Sequence, residues 1–239
     1  MEHVAGRVPV IVTISHFATQ IAVERARLAK ALGAECVMMM APYHGTTLRG
    51  NPIQTFEQFR AVGDVGIPIM AQDAPMSGVD LPVQLLVKMA QEIEMVKLFK
   101  IECPFTANKL RLLIAEGGAA IEGPFDGEEG ITLLADLDAG ARGSMTSGMI
   151  VDQIKPVITH HLAGRMEEAV AAYARILPTV NHENRLCNWR ATKAAMVEGG
   201  VIGSEYCRHP MEPLPPNVRA RLLDLLRRLD PLVLRWGNS

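Results

Sequence analysis

Apolar runs of strand length alternate with amphipathic runs of helix length along residues 1–148, and this alternation restricts the fold more than any other feature. The apolar runs are continuous, as in parallel strands that are buried on both faces. The predicted strands are 8–14, 35–41, 66–73, 96–102, 118–124 and 141–146. The predicted helices between and after them are 18–33, 54–63, 81–93, 106–116 and 128–139. Six βα units in series predict a parallel sheet with right-handed crossovers.

The pattern changes after Gly148, where helices follow one another without intervening strands. We predict helices at 149–163, 165–180, 188–199 and 215–228. Residues 1–148 are therefore interpreted as barrel units, and 149–239 as C-terminal helices that complete the same domain. No G-x-G-x-x-G follows a strand, so a dinucleotide fold is disfavoured. We expect an α/β fold of the TIM-barrel type, although a closed barrel needs eight strands and only six are found.

Composition excludes several classes of function. The 239 residues carry a net charge of −2 and no long basic run, so no nucleic-acid partner is expected. Four cysteines without a CxxC spacing indicate reduced thiols rather than a disulfide framework or a zinc site. No stretch is apolar and long enough to span a membrane, and the N-terminus lacks the apolar region of a signal peptide. We expect a soluble, cytoplasmic protein with no membrane partner.

Polar side chains cluster where the predicted strands end. In a barrel, the carboxyl ends of the strands carry the chemistry. The polar or site-facing candidates at these ends are Ser15, His16, Tyr43, His44, Gln72, Asp73, Lys100, Glu102, Phe125, Asp126, Thr146 and Ser147. For most of these residues, considered one at a time, the simpler interpretation is that a polar residue marks the end of a strand.

Lys100 differs because it lies inside an apolar strand, VKLFKIE, with Ile101 still to follow. A buried ammonium is costly unless it is paired, neutral or used. One reading is structural: the lysine reaches solvent from a strand edge, or pairs with Glu102 or Glu94. The other is Schiff-base chemistry, in which a desolvated, neutral amine attacks a ketone. Strand alternation puts Lys100 and Glu102 on one face.

Several segments, in order from end to end, resemble the dihydrodipicolinate synthase / N-acetylneuraminate lyase family. They are VPVIVTISHFAT, MMMAPYHG, IPIMAQDAPMSG, VKLFKIE, ATKAAMVEGGVI and RHPMEPL. The resemblance implies a TIM barrel with a helical C-terminal extension. It also implies that Lys100 is the Schiff-base lysine and that Tyr43 matches the first tyrosine of the family's PYY motif. His44 replaces the second tyrosine, and Thr146 falls near a strand end that lines the substrate.

Two departures from the family pattern narrow the expected activity. In the register set by Lys100 and Pro75, Gln72 occupies the position of a proton-relaying tyrosine in many members. The MAQDAP, FKIE, GPFDGEE and NHENR segments resemble the sugar-acid dehydratase branch. That resemblance implies dehydration of a 2-keto-3-deoxy sugar acid, which for the pentonate gives 2-oxoglutarate semialdehyde.

The second departure is that two βα units expected before residue 8 are missing, so we expect an N-terminally incomplete barrel with two exposed sheet edges.

The expected mechanism assigns roles to most of the candidate residues. Lys100 attacks the C2 ketone, and Glu102 is the candidate base or proton shuttle, unless it is only the lysine's structural partner. Gln72 orients by hydrogen bonding, because an amide cannot relay a proton at neutral pH. Tyr43 orders a leaving hydroxyl or a water. The candidate substrate contacts are Gln72, His16, His44, Thr146 and Asp126.

Schiff-base chemistry needs neither a metal nor an organic cofactor, so none is expected. The expected partners are a small 2-keto acid and further copies of the chain, as a dimer or tetramer. Two alternatives stay open. One is a class I aldolase that releases pyruvate. The other is an incomplete, impaired chain that only binds keto acids or assembles. His182 and Glu183 are interpreted as a helix-end region rather than a metal site.

Overall fold

A computed structural model describes residues 1–44, 48–74 and 78–238. The strands are β1 (Ile11–Thr13), β2 (Cys36–Met40), β3 (Tyr43–His44), β4 (Leu48–Arg49), β5 (Ile69–Asp73), β6 (Val96–Ile101) and β7 (Pro124–Asp126). The α-helices are α1 (Thr19–Ala31), α2 (Pro52–Gly63), α3 (Val83–Glu92), α4 (Thr106–Gly117), α5 (Leu133–Asp138), α6 (Val151–Leu162), α7 (Met166–His182), α8 (Arg190–Glu198) and α9 (Pro216–Leu229). Pro75, which served to set the register above, lies outside the described residues.

The chain divides into two compact units. Unit 1 comprises Met1–Gly127 and Asp138–Gly143, and unit 2 comprises Glu128–Leu137 and Ser144–Ser239. In unit 1 the strands form a parallel sheet in the order β1-β2-β5-β6-β7. Because each strand pairs with the next one of this sheet along the chain, the order never reverses. This is the order of a βα barrel rather than of a doubly wound sheet.

The helices of unit 1 cover the sheet through small or aliphatic faces. In α1 the buried residues Ala22, Ala26 and Ala29 recur at helical spacing, and small side chains allow close approach to the sheet. In α4, Leu110 and Leu113 have no exposed surface. The strands beneath are apolar on both faces, which explains their continuous hydrophobic runs.

Unit 2 is helical. Helices α6 and α7 pack against each other, and α9 packs against α7 and α8. In α9 a buried stripe of Leu222, Leu226 and Leu229 explains why this strongly amphipathic segment folds as a helix. The Arg175 guanidinium of α7 donates a hydrogen bond to the Leu229 carbonyl at 3.0 Å. This bond satisfies one of the carbonyl groups that lack a partner within α9 at its C-terminal end. Beyond His182, α7 continues into a π-helical turn, Glu183–Cys187.

The predicted strand at 118–124 is wrong in its position. Residues Gly118–Ala120 form a 3₁₀ turn, and the strand is instead β7, Pro124–Asp126. Gly118 and Gly123 have φ values of +52° and +46°. Such values belong to turns rather than to an extended strand, so the chain enters the sheet only after the second glycine.

The next predicted helix and strand are also corrected. The helix expected at 128–139 begins only at Leu133, because Glu129 and Gly130 have φ values of +57° and +82°, which a right-handed helix excludes. The segment expected as a strand at 141–146 contains one bridge residue, Ser144, and forms no strand, although its backbone makes two ladder-like hydrogen bonds. The Arg142 amide donates to Pro124 at 2.8 Å, and the Asp126 amide donates to Gly143 at 3.0 Å. Its polar and glycine residues lack the apolar run of the other strands.

The segment at 42–52, which the sequence predicts as a loop, contains two short strands. Strands β3 and β4 pair antiparallel, with Tyr43 opposite Arg49. Helix α2 then begins at a capping box in which the Asn51 side chain accepts from the Gln54 amide and the Gln54 side chain accepts from the Asn51 amide. Across the described part of the chain, no helix has the length and apolar character that crossing a membrane requires.

Candidate active site

One row of side chains crosses the sheet of unit 1 at the carboxyl ends of its strands. The register pairs Met40 with Gln72, Gln72 with Lys100, and Lys100 with Phe125. Residues paired in parallel strands point to the same face, because the side chains of each strand alternate. Lys100 and Gln72 therefore share a face although 28 residues of chain separate them.

Lys100 is buried, with 9% of its surface exposed. Its ammonium Nζ lies 3.0 Å from Oε2 of Glu102. The Gln72 amide Nε2 donates a hydrogen bond to the same oxygen at 2.8 Å. The Glu102 carboxylate is thus fixed between a cation and a neutral donor, both of which contact Oε2. This arrangement joins three of the predicted site residues.

Gly127 creates the space that these side chains occupy. A Cβ atom at this position would lie 2.8 Å from the Cβ of Glu102 and 2.9 Å from both Cγ and Cε of Lys100. Distances this short are well inside van der Waals contact. The Gly127 amide also donates to the Ile101 carbonyl at 2.8 Å, so its backbone is fixed against β6. Any larger residue would displace the lysine stem or the carboxylate.

The opposite face of the same strand ends carries a second ion pair. Asp73 follows Gln72, so its side chain points away from Lys100 and toward α4. Its Oδ2 lies 2.6 Å from the Lys109 Nζ, and Asp73 is only 2% exposed. Burial raises the pKa of Asp73, and Lys109 offsets only part of this effect. For Lys109, burial disfavours the ammonium, but the contact with Asp73 outweighs it and the pKa of Lys109 is raised.

The structure places the other predicted contacts on several different elements. Asp126 is fully buried and pairs with Ile101 in the register, so alternation places it on the face opposite Lys100. His16 is exposed, and its Nδ1 accepts from the Ala18 amide at 3.0 Å, which fits a local turn. Tyr43 and His44 lie in the β3–β4 hairpin, with the His44 ring 6.5 Å from Phe17. Thr146 belongs to unit 2.

Three functional candidates were missed. The sequence predicts no role for Lys109 or Gly127, and it indicates only the end of a helix at Glu183. A signal existed for Lys109: Thr106, Leu110, Leu113 and Gly117 form the buried face of α4, and Lys109 is adjacent to it at helical spacing. For Gly127 nothing in the sequence indicates which side chains would meet a Cβ atom there.

Glu183 is a buried acid of unit 2. It is 3% exposed and lies in the π-helical turn, and π turns are frequent at functional sites. Burial raises the pKa of Glu183 to about 7, offset in part by Ser147 and reinforced by the nearby charge of Glu129. Within the same unit the Ser147 amide donates to the Glu129 carboxylate. In the described ranges no group of three or more histidine, cysteine, aspartate or glutamate side chains is arranged to hold a metal ion.

A sequential parallel βα sheet with a buried lysine at its carboxyl edge is typical of Schiff-base lyases built on βα barrels. The comparison with protein families agrees. The family described as the dihydrodipicolinate synthetase family matches residues 1–229, and the chain belongs to this family. The resemblance drawn from the sequence motifs is thereby confirmed.

Individual relatives agree in both sequence and structure. An L-2-keto-3-deoxyarabonate dehydratase from Azospirillum brasilense is 56% identical over 239 residues, which cover 100% of this chain and 77% of that protein. A 4-hydroxy-tetrahydrodipicolinate synthase from Gluconacetobacter diazotrophicus is 32% identical, over 93% of this chain and 74% of that protein. A crystal structure from Pseudomonas aeruginosa, described as a dihydrodipicolinate synthetase, superposes with a TM-score of 0.87 at 29% identity, covering 95% of this chain and 78% of that one. The predicted TIM-barrel fold class is confirmed.

Proposed function

We propose that this protein is a Schiff-base-forming hydro-lyase that dehydrates a 2-keto-3-deoxy sugar acid, with L-2-keto-3-deoxyarabonate as the first candidate substrate. The observation that carries the proposal is the shared carboxylate oxygen of Glu102, which contacts both Lys100 and Gln72. The 56% identity to a dehydratase of that name supports the choice of substrate.

Lys100 supplies the nucleophile. Glu102 is close enough to take a proton from the ammonium, which leaves a neutral amine to attack the C2 ketone. The proton held by Glu102 passes to the hydroxyl of the resulting carbinolamine, which leaves as water, so an iminium forms and Glu102 is again a carboxylate. This cation withdraws electrons from the neighbouring C3–H bond and so makes its proton acidic.

Glu102 then serves as the base for C3 and the acid for C4. Its carboxylate removes the C3 proton, the electrons form an enamine, and the enamine expels the C4 hydroxyl. The proton held by Glu102 leaves with that hydroxyl as water, so the step balances. Loss of a C5 proton and gain of a proton at C3 then give an enol between C4 and C5, and tautomerisation of this enol forms the C5 aldehyde. Hydrolysis of the iminium consumes one water and releases 2-oxoglutarate semialdehyde and the free lysine.

Gln72 favours dehydration over carbon–carbon cleavage. Its amide donates to Glu102 and holds the carboxylate in place, but it cannot accept and pass on a proton as a tyrosine can. An aldol cleavage that depends on a tyrosine relay at this position therefore lacks its relay. The ordering role of Tyr43 and the substrate contacts of His16, His44 and Thr146 stay predictions from the sequence. Asp126 is given no substrate contact, because alternation places it on the face opposite Lys100.

Borohydride trapping tests the proposal. The protein is incubated with pyruvate or with L-2-keto-3-deoxyarabonate, reduced, digested and examined by peptide mass spectrometry, and the products are identified by NMR. We expect an adduct on Lys100 and release of 2-oxoglutarate semialdehyde. Lys97 on the same strand, half exposed and 3.3 Å from Glu122, is the matched control, because Lys97→Arg should leave trapping intact. Release of pyruvate would instead identify an aldolase, and absence of an adduct would overturn the proposal.

A further inference from the structure

The second ion pair lies directly behind the proposed catalytic carboxylate. Gln72 and Asp73 are the last two residues of β5 and point to opposite faces of the sheet. Gln72 holds the Glu102 carboxylate from one face, while Asp73 holds Lys109 of α4 from the other. The Asp73 carbonyl also accepts a hydrogen bond from the Glu102 amide at 2.8 Å. Asp73 thus contacts both the backbone of Glu102 and the helix that follows it.

The connection from Glu102 to α4 is short and tightly held. The Thr106 hydroxyl donates to the Cys103 carbonyl at 2.6 Å, and Thr106 is 1% exposed. Phe105, the residue before α4, adopts a left-handed conformation with φ of +62°. Residues 102–105 therefore have little freedom of their own. Their position follows from where β5 ends and where the first turn of α4 sits.

Lys109 fixes the distance between those two elements. It lies in the first turn of α4, and its Nζ is 2.6 Å from Asp73 on β5. Its other carboxylate, Asp80, is 3.6 Å away and exposed to solvent, so it contributes little. Removal of one partner from a buried pair leaves an uncompensated charge, which drives the elements apart or admits water.

We propose that Asp73 and Lys109 are positioning residues that hold Glu102 at proton-transfer distance from the substrate carbon. They touch neither Lys100 nor the reacting atoms, and they act by tying β5 to α4 on the far side of the sheet. The inference rests on the proposed Schiff-base function of Lys100. It assigns a role to two residues on the face of the sheet opposite Lys100.

The test compares Lys109→Met, Lys109→Arg and Asp73→Asn with the unchanged protein. Two steps are measured separately: borohydride trapping of pyruvate, which reports iminium formation, and exchange of the pyruvate methyl protons with D₂O, which reports the base. The kcat and KM for L-2-keto-3-deoxyarabonate and the thermal midpoint complete the set. Lys97→Met, which breaks a surface ion pair of β6, is the control.

We expect Lys109→Met to trap pyruvate with a much smaller loss of rate than the roughly ten- to hundredfold loss in methyl exchange and in kcat, and with little change in KM. Lys109→Arg keeps the cation and should recover most of this loss. Equal losses of trapping and exchange, in proportion to unfolded protein and without recovery in Lys109→Arg, would show a purely structural pair and overturn the inference. Unchanged exchange in Lys109→Met would do the same.

The outcomes also separate the two proposals. If the unchanged protein traps pyruvate and exchanges the pyruvate methyl protons but does not dehydrate the sugar acid, the proposed substrate is wrong. The exchange rates of the variants then still decide whether Asp73 and Lys109 position Glu102. An unchanged protein that does not trap pyruvate at all overturns both.

Discussion

Two lysines of unit 1, Lys100 on β6 and Lys109 on α4, each lie against a carboxylate at hydrogen-bonding distance, yet they face opposite sides of the sheet. The carboxylates differ more than the lysines do. The Glu102 side chain is 21% exposed, whereas that of Asp73 is 3% exposed. The carboxylate of the first pair is therefore more accessible to solvent than that of the second. Because both lysines lie close to a carboxylate, the partner distance alone does not distinguish them, and the proposal assigns the reaction to the pair with the more accessible carboxylate.

Exchange of each lysine for arginine gives the largest contrast. Arginine keeps the charge but cannot form an iminium, so Lys100→Arg should abolish trapping of pyruvate, whereas Lys109→Arg should retain it. Peptide mass spectrometry after borohydride reduction measures both variants in one experiment. Trapping that survives in Lys100→Arg would show that the reactive amine is elsewhere and would remove the basis of the comparison.

Loss of the Glu102 carboxylate should have the next largest effect. Glu102→Gln keeps the shape but not the base, so methyl exchange of pyruvate should fall by roughly 10²- to 10⁴-fold while trapping persists at a reduced rate. NMR in D₂O follows the exchange. Asp73→Asn should reduce exchange less, because Asp73 is proposed to act only through position. An equal fall in both variants would mean that the two carboxylates have the same role.

The space beside Lys100 offers a steric test. Gly127→Ala adds a Cβ within 2.9 Å of the lysine stem, so trapping should slow by roughly tenfold or more as the stem shifts from its position. The rate of borohydride trapping is the measurement. Gly143→Ala is a suitable control, since its Cβ would meet only ring atoms of Phe125 at 3.4 Å or beyond. A normal trapping rate in Gly127→Ala would show that the lysine has room to move.

Glu183 is a third kind of buried carboxyl, one whose raised pKa reflects burial next to a serine and a second glutamate rather than pairing with lysine. Its folded-state pKa of about 7 exceeds the ordinary 4.5, so folding favours the neutral acid. Its contribution to stability is fully present below about pH 4.5 and is lost as the pH rises through 7. The loss is on the order of 3 kcal/mol.

Glu183→Gln should therefore flatten the dependence of stability on pH between 4.5 and 8 without altering trapping at Lys100. Urea unfolding at a series of pH values measures the effect. The exposed Glu167 at the start of α7 gives the control, because Glu167→Gln should leave the pH dependence unchanged. A Glu183→Gln curve that keeps the full slope would assign the pH dependence to other groups.

The sequence allowed the sheet and a buried lysine within it to be predicted because both leave local signals. Continuous apolar runs indicate strands buried on both faces, and a lysine inside one of them, Lys100, is conspicuous. The errors fall where glycines or unusual backbone angles interrupt the pattern. The strand expected at 118–124 and the helix expected at 128–139 both contain residues with positive φ, which composition alone does not reveal.

What the sequence determined by itself is set by short-range geometry. The period of two residues in a strand put Lys100 and Glu102 on one face, and the period of 3.6 in a helix defined the buried stripes of α4 and α9. What only the tertiary structure decided depends on how separate elements align. The contact of Gln72 with Glu102, the Asp73–Lys109 pair and the space left by Gly127 all require the register of β5, β6 and β7. That register depends on how the buried faces of strands far apart in the sequence align, which no single segment shows by itself.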